Sequence, residues 1–532
     1  MQIKDLHICE KMSIFVEKLI RENTKAFMKP AKTVLLSGLL ILSTANLKSQ
    51  EENNLTSGLE LGVEVSGTVA SGDYAPLWLS SNKYGLSSIE NWSNYERVSL
   101  MRTSANDSLR KWRRGYGVDL AVAFNSARNF VVQQAFVEFG FKKANLIIGS
   151  QEHPILLRNQ ALTSGGLSLG INARPIPQIR LDVDYFTFPG TKGWWKWKVW
   201  GSYGVLTDGR WQKSFAEETP DLVTRYTDNT MYHEKALYWK FGKEDCAVPL
   251  TFDIGLQIGT QFAGKTHNLY ARRGVDLQHP TGFDAYMDVL LCKGSDSTDG
   301  LNPNTAGNHV GSYNLALTWH GDGWKVKGYF ERMFEDQSML TVQYGIQDHL
   351  VGVEAELPKN PILTGIVVEH LSTYTQTGPV YHDKTTEIPD KMNGRDDYYN
   401  HNLYSGWQFY GYAMGHPFLT SPIYNKEGNE RKKMGKLEFY NNRVKAWHVG
   451  FAGNPCDEIG YRVLMSFTRN WGTHVFPFQE ILKQQYILAE TNYTPRWAKT
   501  WSGTLGLSYD HGDLLGNSFG GQLTLRKTFN LF

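Results

Sequence analysis

Leu59-Glu60-Leu61-Gly62-Val63-Glu64-Val65-Ser66 sets apolar residues against polar or small ones at every second position. Side chains of an extended chain point alternately to opposite sides, so this stretch reads as a strand with one apolar row and one polar row. The same period continues outward. Tyr116, Val118, Leu120 and Val122 alternate with Gly117, Asp119 and small residues. Trp195, Trp197, Val199 and Tyr203 alternate with Lys196, Lys198 and Ser202. Phe252, Ile254, Leu256 and Ile258 alternate with Asp253, Gly255, Gln257 and Gly259. A soluble sandwich and a membrane barrel both write this pattern, so the period alone leaves the two open.

The connections carry more information. The pattern predicts strands at 57–69, 94–103, 115–124, 130–141, 144–150, 178–187, 194–204, 233–241 and 250–261. It continues at 311–319, 323–332, 348–357, 362–374, 443–451, 459–469, 483–492, 501–510 and 519–531, an even total of eighteen. After even-numbered strands the chain turns back tightly. After most odd-numbered strands it wanders, the longest excursion being 375–442. Outer-membrane barrels have this asymmetry, with short periplasmic turns and long extracellular loops. A sheet in lipid must also close, because each unpaired backbone group at an open edge costs several kcal/mol. The expectation is an all-β chain: a transmembrane antiparallel β-barrel of about 18 strands, formed by residues 50–532 as a single unit.

The ends of the chain and of the strands agree with this. The sequence closes on Leu-Thr-Leu-Arg-Lys-Thr-Phe-Asn-Leu-Phe, and a terminal aromatic such as Phe532 resembles the signal read by barrel-insertion machinery, an expected partner. Trp194, Trp200, Tyr203, Tyr238, Trp239, Trp319, Trp447 and Trp501 lie near strand ends. Amphipathic rings there suit girdles at the two membrane interfaces, with outer-membrane lipid as neighbour. At the other end, Val34 to Leu42 is a nine-residue apolar run preceded by Lys29 and Lys32 and followed by small and polar residues. That is the pattern of a secretory signal, with cleavage after Ala45 or Ser49. Met28 is a natural start, so 1–49 reads as an upstream extension plus signal peptide. The implied destination is the outer membrane of a Gram-negative bacterium.

Composition narrows the remaining classes. Hydrophobic residues are 41% and mean hydropathy is −0.40, with no set of apolar helices of about 20 residues. Aromatics at 13% and 51 glycines argue against long disorder. The formal net charge of +2 gives nucleic acid no support as a partner. After residue 49 only Cys246, Cys292 and Cys456 remain, which is neither a disulfide framework nor a metal motif.

Two motifs imitate catalytic loops. Gly259-Thr-Gln-Phe-Ala-Gly264-Lys265-Thr266 fits a phosphate loop, but that chemistry needs a buried parallel strand before it and a helix N-terminus after it. Gly166-Leu-Ser168-Leu-Gly170 fits a nucleophile elbow without the α/β sheet that would expose the serine. No HExxH and no compact histidine cluster occurs, so no metal and no cofactor is implied. Glu335 and Asp336 are adjacent, and adjacent residues on an extended segment point apart, so they read as lumen or loop carboxylates.

Several segments, in order along about 60–530, resemble the capsule assembly Wzi family of outer-membrane proteins in its Bacteroides-type form. They include Pro76-Leu77-Trp78-Leu79, Asn172-Ala173-Arg174-Pro175-Ile176-Pro177-Gln178, and Pro189 to Trp194. Phe334-Glu335-Asp336, Asp397-Tyr398-Tyr399-Asn400-His401, Tyr404-Ser405-Gly406-Trp407 and Gly415-His416-Pro417 follow. Asn470 to Thr473 and Asp510-His511-Gly512 complete the series. The resemblance implies an eighteen-stranded barrel that retains or organises capsular polysaccharide at the cell surface, lectin-like and non-catalytic. The competing expectations are a porin or substrate-specific channel with the same wall, and a barrel enzyme acting on surface glycans.

The loop 375–442 is far longer than a hairpin needs and is rich in aromatics, so it is expected to fold as a cap. Aromatic faces cover the apolar C–H surfaces of sugars, while amides and cations reach hydroxyls and acidic groups. Tyr398, Tyr399, Asn400, Tyr404 and Trp407 are therefore the candidate contacts to a capsular or exopolysaccharide, with packing of the cap or plugging of the barrel as their alternative role. Asn172 and Arg174 join them from another long loop. Arg174 could meet an acidic polymer, or form a polar lumen network with Glu335 and Asp336.

Overall fold

The computed structural model describes residues 56–107, 110–217, 222–293, 307–335, 346–381, 392–425 and 435–531. Eighteen strands form one antiparallel sheet. They are β1 (Glu60–Tyr74), β2 (Glu90–Arg102), β3 (Trp112–Phe124), β4 (Phe130–Phe141), β5 (Ala144–Ser150) and β6 (Gln178–Thr187). Next come β7 (Trp195–Val205), β8 (Met231–Gly242), β9 (Leu250–Phe262), β10 (Asn308–His320), β11 (Lys325–Phe334) and β12 (His349–Glu356). The circuit ends with β13 (Gly365–Ser372), β14 (Val444–Gly453), β15 (Ile459–Gly472), β16 (Pro477–Tyr493), β17 (Trp501–Gly512) and β18 (Ser518–Asn530). Each strand pairs with the next, and β18 returns to β1 from Glu60↔Asn530 to Ala70↔Gly520, so the sheet has no free edge.

The two faces of the wall reverse the arrangement of a soluble protein. On β3, Val118, Val122 and Phe124 lie exposed on the outside, while Asp119, Ala121 and Ala123 are buried within. Val98, Val137, Phe139, Ile179, Leu181, Leu317, Val353, Phe467 and Leu507 continue the outer apolar surface around the circuit. Inside stand Gln134, Arg180, Glu234, Asp253, Glu331, Glu354, Glu369 and Asp510. An apolar exterior over a polar interior is what a lipid environment demands of a closed sheet.

Every expected strand is present, with ends displaced by a few residues; β16 begins at Pro477, earlier than the pattern indicated. The tryptophan girdle needs one correction. Trp194, Trp319 and Trp447 face outward and are exposed, but Trp200 and Tyr238 point into the lumen, stacked at 5.5 Å. Their parity matches Lys198 and Lys240, the lumen row of their strands. The signal segment and Phe532 lie outside the described residues.

The long connections 75–89, 151–177, 206–230, 263–307 and 373–443 all leave from one end, the end that faces outward in outer-membrane barrels. Connections at the opposite end run from two residues (142–143) to nine (103–111). Several long loops turn inward. Their Leu77, Trp78, Leu162, Leu167, Trp407, Phe409, Phe418 and Phe439 form an apolar cluster inside the barrel. The polar lumen is thus filled by a small folded core of its own.

Candidate functional site: the lumen plug and its cap

Three loop segments meet in this plug. The first, 75–88, is held by wall strands β17 and β18. Asp510 accepts the Leu77 N–H at 2.7 Å, and Lys83 donates to Gln522. Trp78 then packs against Phe418 and His448 at ring distances of 5.8 and 5.4 Å.

The second segment, 158–170, is anchored by a row of wall carboxylates. Glu354 accepts the N–H of Asn159 at 2.9 Å, and Glu331 accepts that of Leu167 at 2.9 Å. Glu369 accepts the Ser164 N–H at 2.7 Å, the Thr163 hydroxyl at 2.6 Å and the Tyr329 hydroxyl at 2.5 Å. Arg158 pairs with Glu331, and the Leu162 carbonyl meets His448 at 2.8 Å. Charged acceptors matched to backbone N–H groups satisfy both sides where water is excluded.

The third segment is the 397–418 part of the long loop. Tyr399 donates its hydroxyl to the Leu167 carbonyl and accepts the His416 N–H at 2.9 Å. Trp407 donates its indole N–H to the Ser168 carbonyl at 2.8 Å. Gly170 and Gly415 let the second and third segments touch: a Cβ on Gly170 would stand 2.6 Å from the Gly415 carbonyl oxygen. Of the segments that carried the family resemblance, 76–79, 397–401, 404–407 and 415–417 lie in this plug.

The candidate binding residues are found within this packing. Tyr398, Tyr399 and Trp407 are fully buried, and Tyr404 nearly so, its ring stacked on His279 at 4.5 Å. Tyr398 donates to Asp348 at 3.1 Å. Asn400 donates to Asp397 at 3.1 Å and to the Phe439 carbonyl at 2.9 Å, and takes the Phe439 N–H at 2.8 Å. Asn172 bridges the Asn82 N–H and the Ala413 carbonyl at 3.2 and 3.3 Å. Their polar atoms serve neighbouring protein groups.

Of the expected lumen network, the described members Arg174 and Glu335 have different neighbours. Arg174 donates to the Gly85 carbonyl at 3.3 Å and lies over the Tyr410 ring at 4.5 Å. Glu335 instead accepts the Tyr399 N–H at 2.6 Å. Asp336 lies outside the described residues. Arg158 pairs in the lumen with Glu331, one of several wall carboxylates that no local sequence pattern singles out.

Burial sets the charge of the cap. Burial, with Arg225 nearby, pushes His401 down to about 3, and burial holds His416 well below its usual value, so both rings are neutral. Asp397 is pushed up to about 6 by burial, against hydrogen bonds from Asn442 and Asn400. Asp208 is likewise raised to about 6 by burial, while it ties Tyr410 N–H to the helix Gly209–Glu217.

Both motif imitations are absorbed by the wall and plug. Gly259 lies on β9, where an added Cβ would meet the Trp407 ring at 2.7 Å. Ser168 is buried at 2.7 Å from the Ser312 hydroxyl. Between plug and wall a cavity of ≈ 210 Å³ remains, below the roughly 300–1,000 Å³ of ordinary small-molecule sites. Arg180 spans it, paired with Glu234 and Asp182 at 3.1 Å each. On the outward end, sequence reasoning missed Tyr270. Its ring is 58% exposed on a loop where Asn268, Tyr270 and Ala271 all hold φ near +55°. Non-glycine residues in that region are uncommon and mark strained, often functional, loops.

These features define an outer-membrane β-barrel with a self-plugged lumen. Among solved structures the chain is similar to Wzi, titled an outer-membrane protein involved in group 1 capsule assembly in Escherichia coli and a carbohydrate-binding β-barrel. The TM-score is 0.53 at 12% identity, over 89% of this chain and 84% of that one. It is also similar to OprD from Pseudomonas aeruginosa, with TM-score 0.42 at 10% identity over 91% and 95% of the two chains. No protein-family model matches the chain, and no curated protein does. At such identities the likeness concerns the fold.

Proposed function

We infer that this barrel sits in the outer membrane of a Gram-negative bacterium and binds or organises a capsular or surface polysaccharide, without making or breaking bonds. The observation that carries this reading is the plug. Three interlocked segments occupy the lumen and are fixed to at least six wall strands. A diffusion channel would leave that space open. A wall whose interior is filled serves as a platform for what its outer end displays. The ordered motifs that resemble the capsule assembly Wzi family, and the likeness to a barrel described as carbohydrate-binding, support the same reading.

In this reading Tyr398, Tyr399, Asn400, Tyr404, Trp407, Asn172 and Arg174 give the cap its shape, and exposed rings such as Tyr270 meet the polymer. Deleting the gene should shift polymer from the cell surface into the medium while total synthesis persists. Restoring the Tyr270→Ala variant should recover less cell-bound polymer than restoring the wild type. Unchanged cell-bound polymer after deletion would overturn the proposal.

A further inference from the structure

The outer face of β12–β17 is layered by strand register. One row of paired residues is apolar: Val353, Val368, Val449, Met465, Ile487 and Tyr509. The next row toward the long-loop end is mixed: Val351, His370, Trp447, Phe467, Gln485 and His511. Trp447 and Phe467 in it are exposed. The row beyond is cationic: Lys445 pairs across to Arg469, and Arg469 to Lys483. All three are exposed on the same outward side as the apolar rows.

Like charges directly opposite one another on neighbouring strands are destabilising. None of the three has an ion-pair partner among the described residues. Asp513, whose N–H reaches the Lys483 carbonyl across the strands, and Glu480, three positions before Lys483, form no ion pair with the row among the described residues. A row of three exposed cations with no carboxylate partner among the described residues favours an anionic ligand beside it. Beside the row, Arg443 lies over the Tyr374 ring at 4.5 Å, and Lys445 lies over the same ring at 4.7 Å. A surface hollow of ≈ 330 Å³ opens there, lined by Tyr374, Thr375, Arg443, His474 and Pro477.

We propose that Lys445, Arg469 and Lys483, with Arg443 at the edge of the hollow, bind the phosphate groups of a phosphorylated lipid in the outer leaflet. The position selects a lipid over a soluble anion. Apolar rows continuous with the cations would lie along acyl chains, the Trp447 row would sit at their neck, and the cations would stand at headgroup height. Basic side chains at an anionic membrane surface are attracted to it, and the attraction is screened by salt.

The test uses the full barrel purified in detergent, with a bis-phosphorylated diglucosamine lipid as the probe and bound lipid counted by native mass spectrometry. Wild type should retain the lipid, and the Lys445→Gln/Arg469→Gln/Lys483→Gln variant should bind it at least about tenfold more weakly. The enzymatically dephosphorylated lipid should bind wild type as poorly as the intact lipid binds the variant. Lys243→Gln, at the opposite end of the wall, should leave binding unchanged. Equal retention by wild type and triple variant would overturn the proposal, as would equal retention of the dephosphorylated lipid. Displacement by millimolar inorganic phosphate would reduce the site to a small-anion site and also overturn it. Heat-modifiable gel mobility verifies folding. If the triple variant does not fold, Arg469→Gln and the dephosphorylated lipid carry the same decision.

Discussion

The indole of Trp407 is enclosed on all sides, with its one donor spent on the Ser168 carbonyl and Gly259 leaving room for the ring. Replacing it with alanine removes a large buried ring and orphans an acceptor. Trp407→Ala should destabilise the plug by about 3–5 kcal/mol, read as earlier proteolysis of the cap while the wall keeps its strand circular dichroism. Asp397 gives a second expectation at this scale. Its folded-state pKa of about 6 exceeds the ordinary 3.8, so the folded cap binds its proton more tightly than the unfolded chain. That contribution favours the cap at acid pH and is lost as pH rises from about 4 through about 6. His401 works in the opposite sense, since its depressed pKa favours the unfolded chain below pH 6.5. The comparison that isolates Asp397 is wild type against Asp397→Asn. Amide exchange in the cap should slow in the variant relative to wild type at pH 7, and the two should converge near pH 4. The aromatic content of 375–442 predicts a folded cap, and its described part 397–425 packs into the lumen, but the orientation of the rings is not legible in the sequence. Tyr399 and Trp407 look inward because Leu167 and Ser168, far away in sequence, offer carbonyls there, and no local pattern encodes such partners.

At the scale of elements, segment 158–170 is tied to β11, β12, β13 and β14 through Glu331, Glu354, Glu369 and His448. Glu331→Gln with Glu369→Gln would remove the charge that matches Arg158 and weaken the bonds to the Ser164 and Leu167 N–H groups. Planar bilayers should report a closed wild type and a double variant that opens intermittently. A wild type with steady large conductance would favour the channel reading in place of the polysaccharide one. The strands themselves were readable because alternation is a local property, and even Trp200 and Tyr238 obey it once parity is counted instead of nearness to a strand end. The carboxylate row could not be read, because Glu331, Glu354 and Glu369 look in sequence like any other lumen acids. Only the register Val353↔Gly328 and Val353↔Val368 brings their strands side by side.

For the molecule as a whole, the outward apolar surface is what commits the chain to a membrane. Val118→Arg on the exterior of β3 should lower folding stability in bilayers by roughly 2–4 kcal/mol if it lies near the midplane, measured by reversible denaturant titration. The same change in an exposed loop, Val275→Arg, should register nothing. Closure, strand number and loop asymmetry followed from alternation and connection length, whereas the filled lumen did not. Filling depends on contacts such as Arg158 to Glu331 and Leu77 to Asp510, separated by 173 and 433 positions. Those separations impose a timetable on biogenesis. Residues 158–170 are delivered with the first strands, but the acids that receive them arrive only with β11–β13, and the docking point of Leu77 only with β17. Until then the inward-folding loops have nowhere to settle, so the wall must be nearly complete before its contents can take their places.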